Sequence, residues 1–328
     1  MNSNRFLFLI IIGITLILSG CLSPTIKLFT NAQDPLIEFT LQGDGIDKIL
    51  LIPVNGMISD IGSDDILRSK PSIVEEIVSQ LKKAEKDDYI KAILLKVDSP
   101  GGTTTASDVL YNELIHFKNQ KKIKIVSAMM GLATSGAYYI SLPADHIIAH
   151  PTTVTGSVGV IFIRPNFSGL MDKLGLNISI NKSGKNKDIG SPFRKNNQEE
   201  IEILQNLVDK LAKRFQYLVQ KHRHMSKEIL SKVSSACVYL PEEAKELKLI
   251  DSIGYLKDAI QKTKSIAKLD DKARVIVYRR TEFPEDNIYN SIITTYKNEP
   301  IKIMPIQLPK QLFIQPGFYY LWLGMNEM

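Results

Sequence analysis

Short apolar runs alternate with helical periodicities through the middle of this chain. Lys48–Val54 (KILLIPV), Ile90–Val97 (IKAILLKV) and Ile123–Met130 (IKIVSAMM) are continuous and rich in branched residues. Such runs predict strands buried on both faces. Asp145–Ala149 (DHIIA) predicts a short fourth strand. Between them, Ser72-Ile-Val-Glu75 has capping-box spacing, and Ile73, Ile77, Leu81 and Ala84 follow on one helical face. Thr105–Phe117 reads as another helix, Asn196–Met225 as a long amphipathic one, and Pro241–Leu247 and Tyr255–Ile266 as shorter ones. In the long helix, Ile201, Leu204, Val208, Leu211, Phe215 and Leu218 recur at steps of three and four. That stripe predicts a face turned to the core or to another subunit. Arg274–Arg279 (RVIVYR) predicts a late strand. Strands alternating with helices predict an α/β architecture, a parallel sheet covered by helices. The tail Thr281–Met328 carries five prolines and is expected to hold little regular structure. Its aromatic end (Phe313, Phe318, Tyr319, Tyr320, Trp322) is expected to pack on the body or a neighbouring subunit.

The chain is organised around Gly131–Tyr139 (GLATSGAYY). The preceding branched run stops at Gly131 and gives way to small residues, which predicts a strand, a sharp turn and a helix. Ser135 falls at that turn. A helix N-terminus offers free N–H groups and partial positive charge, so a serine there can act as a nucleophile whose oxyanion is held by backbone amides. A tightly packed junction with a buried serine is the plainer reading of the same residues.

Composition narrows the class. With 328 residues, 44% hydrophobic and 23% charged, the chain can bury a sizeable core. Its net charge of +6 is spread out, with no basic block interleaved with aromatics. This suits a mild affinity for anionic membrane and argues against a nucleic-acid partner. Two cysteines without a CxxC pair, and five histidines outside any HExxH frame, give no metal site. Phe6–Leu18 is an apolar stretch of 13 residues after Arg5. A membrane span needs about 20 residues, so the stretch suits a signal-peptide core. Leu18-Ser-Gly-Cys21 follows it and resembles the lipobox of bacterial lipoproteins, which implies lipidation at Cys21. Residues 22–45 have no sustained periodicity and read as a linker.

Three further segments accompany Ser135. Asp98-Ser-Pro-Gly-Gly102 ends a strand, where ligands bind in open α/β sheets. Thr155-Gly-Ser-Val-Gly159 is a second small-residue turn, and Ser183-Gly-Lys-Asn-Lys-Asp188 carries Lys185 and Lys187. Serine needs a base, and no histidine is well placed. A lysine serves if desolvation lowers its pKa. The residues by themselves do not choose Lys187 over Lys185 or any other lysine.

The order DSPGG, ATSGAYYIS, TGSVGV, SGKNKDIGSPFR and VYLPEEAKELKLID resembles the short form of the bacterial signal peptide peptidase A family, over roughly Ile46 to Ile266. The resemblance implies a crotonase/Clp-protease-like fold assembled as a ring, with Ser135 as nucleophile and Lys187 as general base. It also implies that Ser157 orients the lysine and that the N–H groups of Gly102 and Gly136 form the oxyanion hole. No cofactor or metal is implied. Expected partners are cleaved signal peptides, the membrane and further copies of the chain, with serine and lysine shared between adjacent protomers. The catalytic domain is expected on the extracytoplasmic side. An extended substrate is expected to pair as an added strand beside Val158–Ile163 and Gly101–Thr103. The implied organisation is a signal peptide over 1–20, a lipid-anchored linker over 21–45, a protease domain over 46–266, and a C-terminal strand and tail over 267–328. The chain departs from the family in reading SGA where many members have SGG, and in carrying a lipobox where an anchor helix is usual. The rival classes are a crotonase-type acyl-CoA enzyme and a non-catalytic envelope scaffold.

Overall fold

The structure is a computed structural model that describes residues 34–65, 68–283, 285–290 and 316–324. The lipobox, Cys21 and the first 33 residues lie outside that range. Among the described residues nine strands form one mixed sheet: β1 (Ile37–Gln42), β2 (Lys48–Asn55), β5 (Ile90–Ser99), β7 (Lys124–Thr134), β8 (His146–Ala149), β9 (Val154–Gly156), β11 (Val238–Tyr239), β12 (Ser252–Ile253) and β13 (Arg274–Arg279), of which β2, β5, β7, β8 and β13 are those the apolar runs predict. Its path runs β1-β13-β2-β5-β7-β8-β12, with β9 joined to β7 and β11. The pairs β13·β2, β2·β5, β5·β7, β7·β8, β7·β9 and β8·β12 are parallel. A strand such as β5 is buried on both faces, so its sequence is continuously apolar rather than alternating. A small hairpin, β3 (Ser63–Asp65) and β4 (Arg68–Lys70), projects between β2 and the first helix.

Helices cover the sheet: α1 (Ile73–Glu85), α2 (Thr104–Lys121), α3 (Gly136–Ser141), α4 (Ser168–Leu174), α5 (Gln198–Arg223), α6 (Lys227–Val233), α7 (Pro241–Glu246) and α8 (Leu256–Ala267). The predicted capping box of α1 is complete: Ser72 Oγ accepts from Glu75 N–H, and the Glu75 carboxylate accepts from Ser72 N–H. One apolar cluster lies between the sheet and α1, α2 and α3, and a second lies on the opposite face under α8.

Three expectations change in the structure, and that for the long helix is narrowed. The segment read as linker contains β1, which pairs antiparallel with β13. Its alternating composition marks a strand at the rim of the sheet, where one face meets solvent, and that pattern is weaker than a buried run. Strand β7 does not stop at Gly131 but runs to Thr134, because small residues there let β5 and β9 approach. Within the α5 stripe only Phe215 and Leu218 are buried in the chain and Ile201 is 45% exposed, so the core takes one end of that face and leaves the other open. The tail is not wholly irregular: β14 (Gly317–Leu321) lies antiparallel between β6 (Gly101–Thr103) and β10 (Ile161–Ile163).

Candidate active site

Ser135 stands between the end of β7 and the start of α3, at φ 55° and ψ −114°. A non-glycine residue at positive φ is strained. The strain arises because the chain changes from extended to helical within one residue. Ser135 N–H donates to Gly156 O at 2.8 Å, which pins the turn to β9. The side chain is 1% exposed, and its Oγ makes no hydrogen bond to any described group. A buried, unpartnered hydroxyl is costly; at a strained strand-to-helix elbow, that cost fits an atom kept for a reaction.

The two predicted amide donors converge beside it. A Cβ built on Gly136 would lie 3.0 Å from Gly102 N and 2.5 Å from Ser107 Oγ. Gly136 opens α3, so its N–H has no partner within that helix. Gly102 runs against Ile58, whose carbonyl accepts from Thr103 N–H at 2.9 Å. A Cβ on Gly102 would come within 1.8 Å of that carbonyl oxygen, which is why the position needs glycine. Gly101, at φ 99°, turns the chain into this approach. Upstream, the Asp98 carboxylate accepts from Leu132 N–H at 2.9 Å and ties the end of β5 to β7.

Ser157 is brought to the same place. Thr134 is opposite Gly156 in the parallel β7·β9 register, so Ser135 and Ser157 follow their strands side by side. Ser157 is buried at φ 54°, and its N–H donates to Cys237 O at 2.7 Å. The predicted turn at 155–159 is thus a strand followed by one strained residue.

Lys187 is not brought to Ser135 within the chain. It is exposed on a loop, and its backbone N–H donates to Gly184 O at 3.1 Å. Its amine has no hydrogen bond or ion pair among the described residues, whereas Lys185 pairs with Glu199 and Lys182 with Asp188. The loop is clamped from the residue after Lys187. Arg194 Nε donates to Asp188 Oδ2 at 2.8 Å, and Arg194 Nη1 donates to Glu200 Oε2 at 2.9 Å. The hydrogen bonds from Arg194 and Lys182 hold the Asp188 carboxyl well below the usual carboxylate range. The same guanidinium lowers that of Glu200. Sequence reasoning missed this clamp, although an Arg flanked by Asp and Glu at six-residue offsets was its available signal.

An aromatic nest lies behind the elbow. Tyr139 on α3 stacks on Tyr320 of β14 at 4.9 Å, and Phe215 on α5 contacts both rings at 4.9 Å. Tyr139 OH donates to Asp108 Oδ1 at 2.5 Å, and Arg214 holds the same carboxylate. Burial, then the bond to Asp108, raises the Tyr139 pKa far above its ordinary value. Among the described residues no group of three His, Cys, Asp or Glu could hold a metal ion.

A mostly parallel sheet flanked by helices, with a strained and buried serine at a strand-to-helix elbow, defines an α/β protein of Clp-protease-like architecture with a candidate nucleophile. A Clp protease family model matches residues 67–153, and a model of peptidase family S49 matches residues 117–270. A protein of Enterococcus faecium bearing the name signal peptide peptidase SppA is 36% identical over 253 residues, covering 77% of this chain and 73% of that one. A Methanocaldococcus jannaschii protein bearing the name of a protease is 34% identical, covering 81% and 84% of the two chains. Protease 4 of Haemophilus influenzae is 32% identical over 81% of this chain but only 42% of its own length. A solved structure of a Listeria monocytogenes ClpP1 variant aligns with TM-score 0.42 and 18% identity, over 64% of this chain and 94% of that one. The chain belongs to peptidase family S49.

Proposed function

We propose that this peptidase is a serine endopeptidase acting through a Ser135–Lys187 dyad on signal-peptide remnants at the extracytoplasmic face of a membrane. The observation that carries the reading is the strained, unpartnered Ser135 hydroxyl set beside the Gly102 and Gly136 amides. Ser135 Oγ attacks a peptide carbonyl and Lys187 takes its proton. The two amides hold the oxyanion, a contribution of about 3 kcal/mol per donor. Lys187 then protonates the leaving amine, and water hydrolyses the acyl-enzyme. Ser157 orients the lysine amine.

Lys187 reaches a serine on the adjacent protomer. The unbonded amine on an exposed loop supports this, as does the apolar segment that precedes it in the chain: Phe167, Leu170, Leu174, Leu176, Ile178 and Ile180 are all at least 43% exposed. A run of that kind seeks a partner, and a ring of protomers supplies one. Lipidation at Cys21 would hold the ring on the membrane. Among the described residues no helix is long and apolar enough to cross a bilayer. The crotonase-type reading explains the amides but leaves the serine without a role.

The test is peptide cleavage and labelling by a serine-reactive phosphonate. The wild type is expected to be active and labelled, and folded Ser135→Ala and Lys187→Ala variants to lose at least about a thousandfold in kcat/KM. A fully active Lys187→Ala enzyme would remove the dyad.

A further inference from the structure

Strand β7 carries more residues than the strand it pairs with. Val97 of β5 faces Met129, but Ser99 faces Ala133. Met130, Gly131 and Leu132 therefore stand opposite the single residue Asp98. This surplus is a bulge, a device that re-aims the chain beyond it. It falls where β7 changes partner. Up to Met129 the strand runs beside β8, and from Leu132 it runs beside β9.

Two side chains hold the bulge. Asp98 Oδ1 accepts from Leu132 N–H at 2.9 Å. A Cβ on Gly131 would stand 3.3 Å from the same oxygen, so glycine lets the carboxylate lie over the bulge. From the connection between β8 and β9, fully buried Thr153 brings its hydroxyl to the carbonyls of Met129, 3.0 Å away, and Met130. Thr155 Oγ1 then donates to Ala133 O at 2.7 Å and fixes the stretch that follows.

The register beyond the bulge decides where the chemistry sits. Gly102 and Gly136 each lie three residues after the facing pair Ser99 and Ala133. In a regular ladder Ser99 would face Gly131, and Gly102 would fall level with Thr134. Ser135 would then stand about 7 Å from its place, the rise of two strand residues. A misplacement of about 1 Å can already cost on the order of a hundredfold in rate.

We propose that Asp98 and Thr153 are positioning residues of the peptidase, which clamp the bulge at Met130–Gly131 and so aim Ser135 and the Gly136 amide at the position of the substrate carbonyl beside Gly102. The proposal rests on the Ser135 reading above. Neither side chain takes a proton or touches the substrate. Asp98 acts as a hydrogen-bond acceptor for one backbone N–H, and Thr153 as a donor to the carbonyl side of the same bulge. Losing either lets the bulge slide without opening the sheet.

The experiment measures kcat, KM and the rate of phosphonate labelling at Ser135 in the full-length protein. Asp98→Ala and Thr153→Val are each expected to lower kcat and the labelling rate by about 10- to 100-fold, with KM little changed and the circular dichroism of wild type. Asp98→Asn keeps an acceptor oxygen and Thr153→Ser keeps the hydroxyl, so both should retain most of the activity. The Asp98→Ala/Thr153→Val double variant should lose less than the product of the single losses, because both act on one bulge. Wild-type kcat in Asp98→Ala and Thr153→Val overturns the proposal and leaves the protease reading standing. So does a rise in KM alone, or an Asp98→Asn variant as slow as Asp98→Ala. A double variant that loses the full product overturns the shared clamp. Absence of Ser135-dependent cleavage and labelling in wild type overturns both readings.

Discussion

At the scale of single residues, backbone geometry rather than side-chain chemistry limits what the site tolerates. Gly102 has no room for a methyl group, since Ile58 O stands where one would go. Gly102→Ala is expected to lower stability by about 2–3 kcal/mol, the overpacking cost of a tight site, and to move an oxyanion donor. Urea unfolding and kcat should fall together, and a change in activity without a change in stability would contradict the close approach. Ser107 offers a finer control. Its hydroxyl donates to Thr103 O at 2.9 Å and faces Gly136, so Ser107→Ala should open space at the elbow. Gly136→Ala should then be better tolerated in the Ser107→Ala background than alone, measured as non-additive changes in Tm.

At the scale of elements, α5 joins the lysine loop at one end to the core at the other. Its N-terminal carboxylate, Glu200, is 2% exposed and shares Arg194 with Asp188. Arg194→Gln is expected to free the loop. Activity should fall about 10- to 100-fold through misplacement of Lys187, and proteolysis within 182–195 should accelerate while Tm barely moves. At the C-terminal end, His222 meets the Tyr111 hydroxyl of α2 at 2.8 Å. Burial, then the neighbouring lysines, pushes its pKa down from 6.5 to about 4. The folded state thus binds fewer protons than the unfolded state between those two values. Stability is therefore expected to fall as pH drops from about 6.5 to 4. The ring is half-exposed, so the loss is about 1 kcal/mol after solvent screening. Urea unfolding across that window measures it, and His222→Gln should flatten part of the slope. Burial also lowers the pKa of His146, which adds to the same slope.

At the scale of the whole molecule, the two residues of the proposed dyad are not brought together within one chain. Ser135 and Ser157 follow paired strands of the main sheet, and Gly102 in β6 of the small sheet lies against Gly136, while Lys187 stands apart without a bonding partner among the described residues. If the adjacent protomer provides the lysine, mixing inactive Ser135→Ala and Lys187→Ala proteins should restore part of the peptidase activity. Rings refolded from an equal mixture contain junctions with an intact pair, so recovery of roughly a quarter is expected from random pairing, whereas sites built within one chain would recover none. The exposed apolar run at 167–180 is expected to protect against hydrogen exchange in the assembled state only.

The strands, the capped first helix and the junction at Ser135 were legible in the order of residues, because burial and capping act over a few neighbouring positions. The resemblance of five short motifs extended that reading to Lys187, Ser157 and the two glycines. The aromatic tail was legible only as something that packs. Its place was decided by tertiary structure: strand pairing is non-local, and any extended segment of suitable length can pair with an open edge. The same holds for β1, whose half-exposed pattern says little until β13 arrives from more than 230 residues away to pair with it. Short-range physics thus wrote the elbow and its serine into the sequence. What lies in the groove before that serine was settled only when distant parts of the chain met.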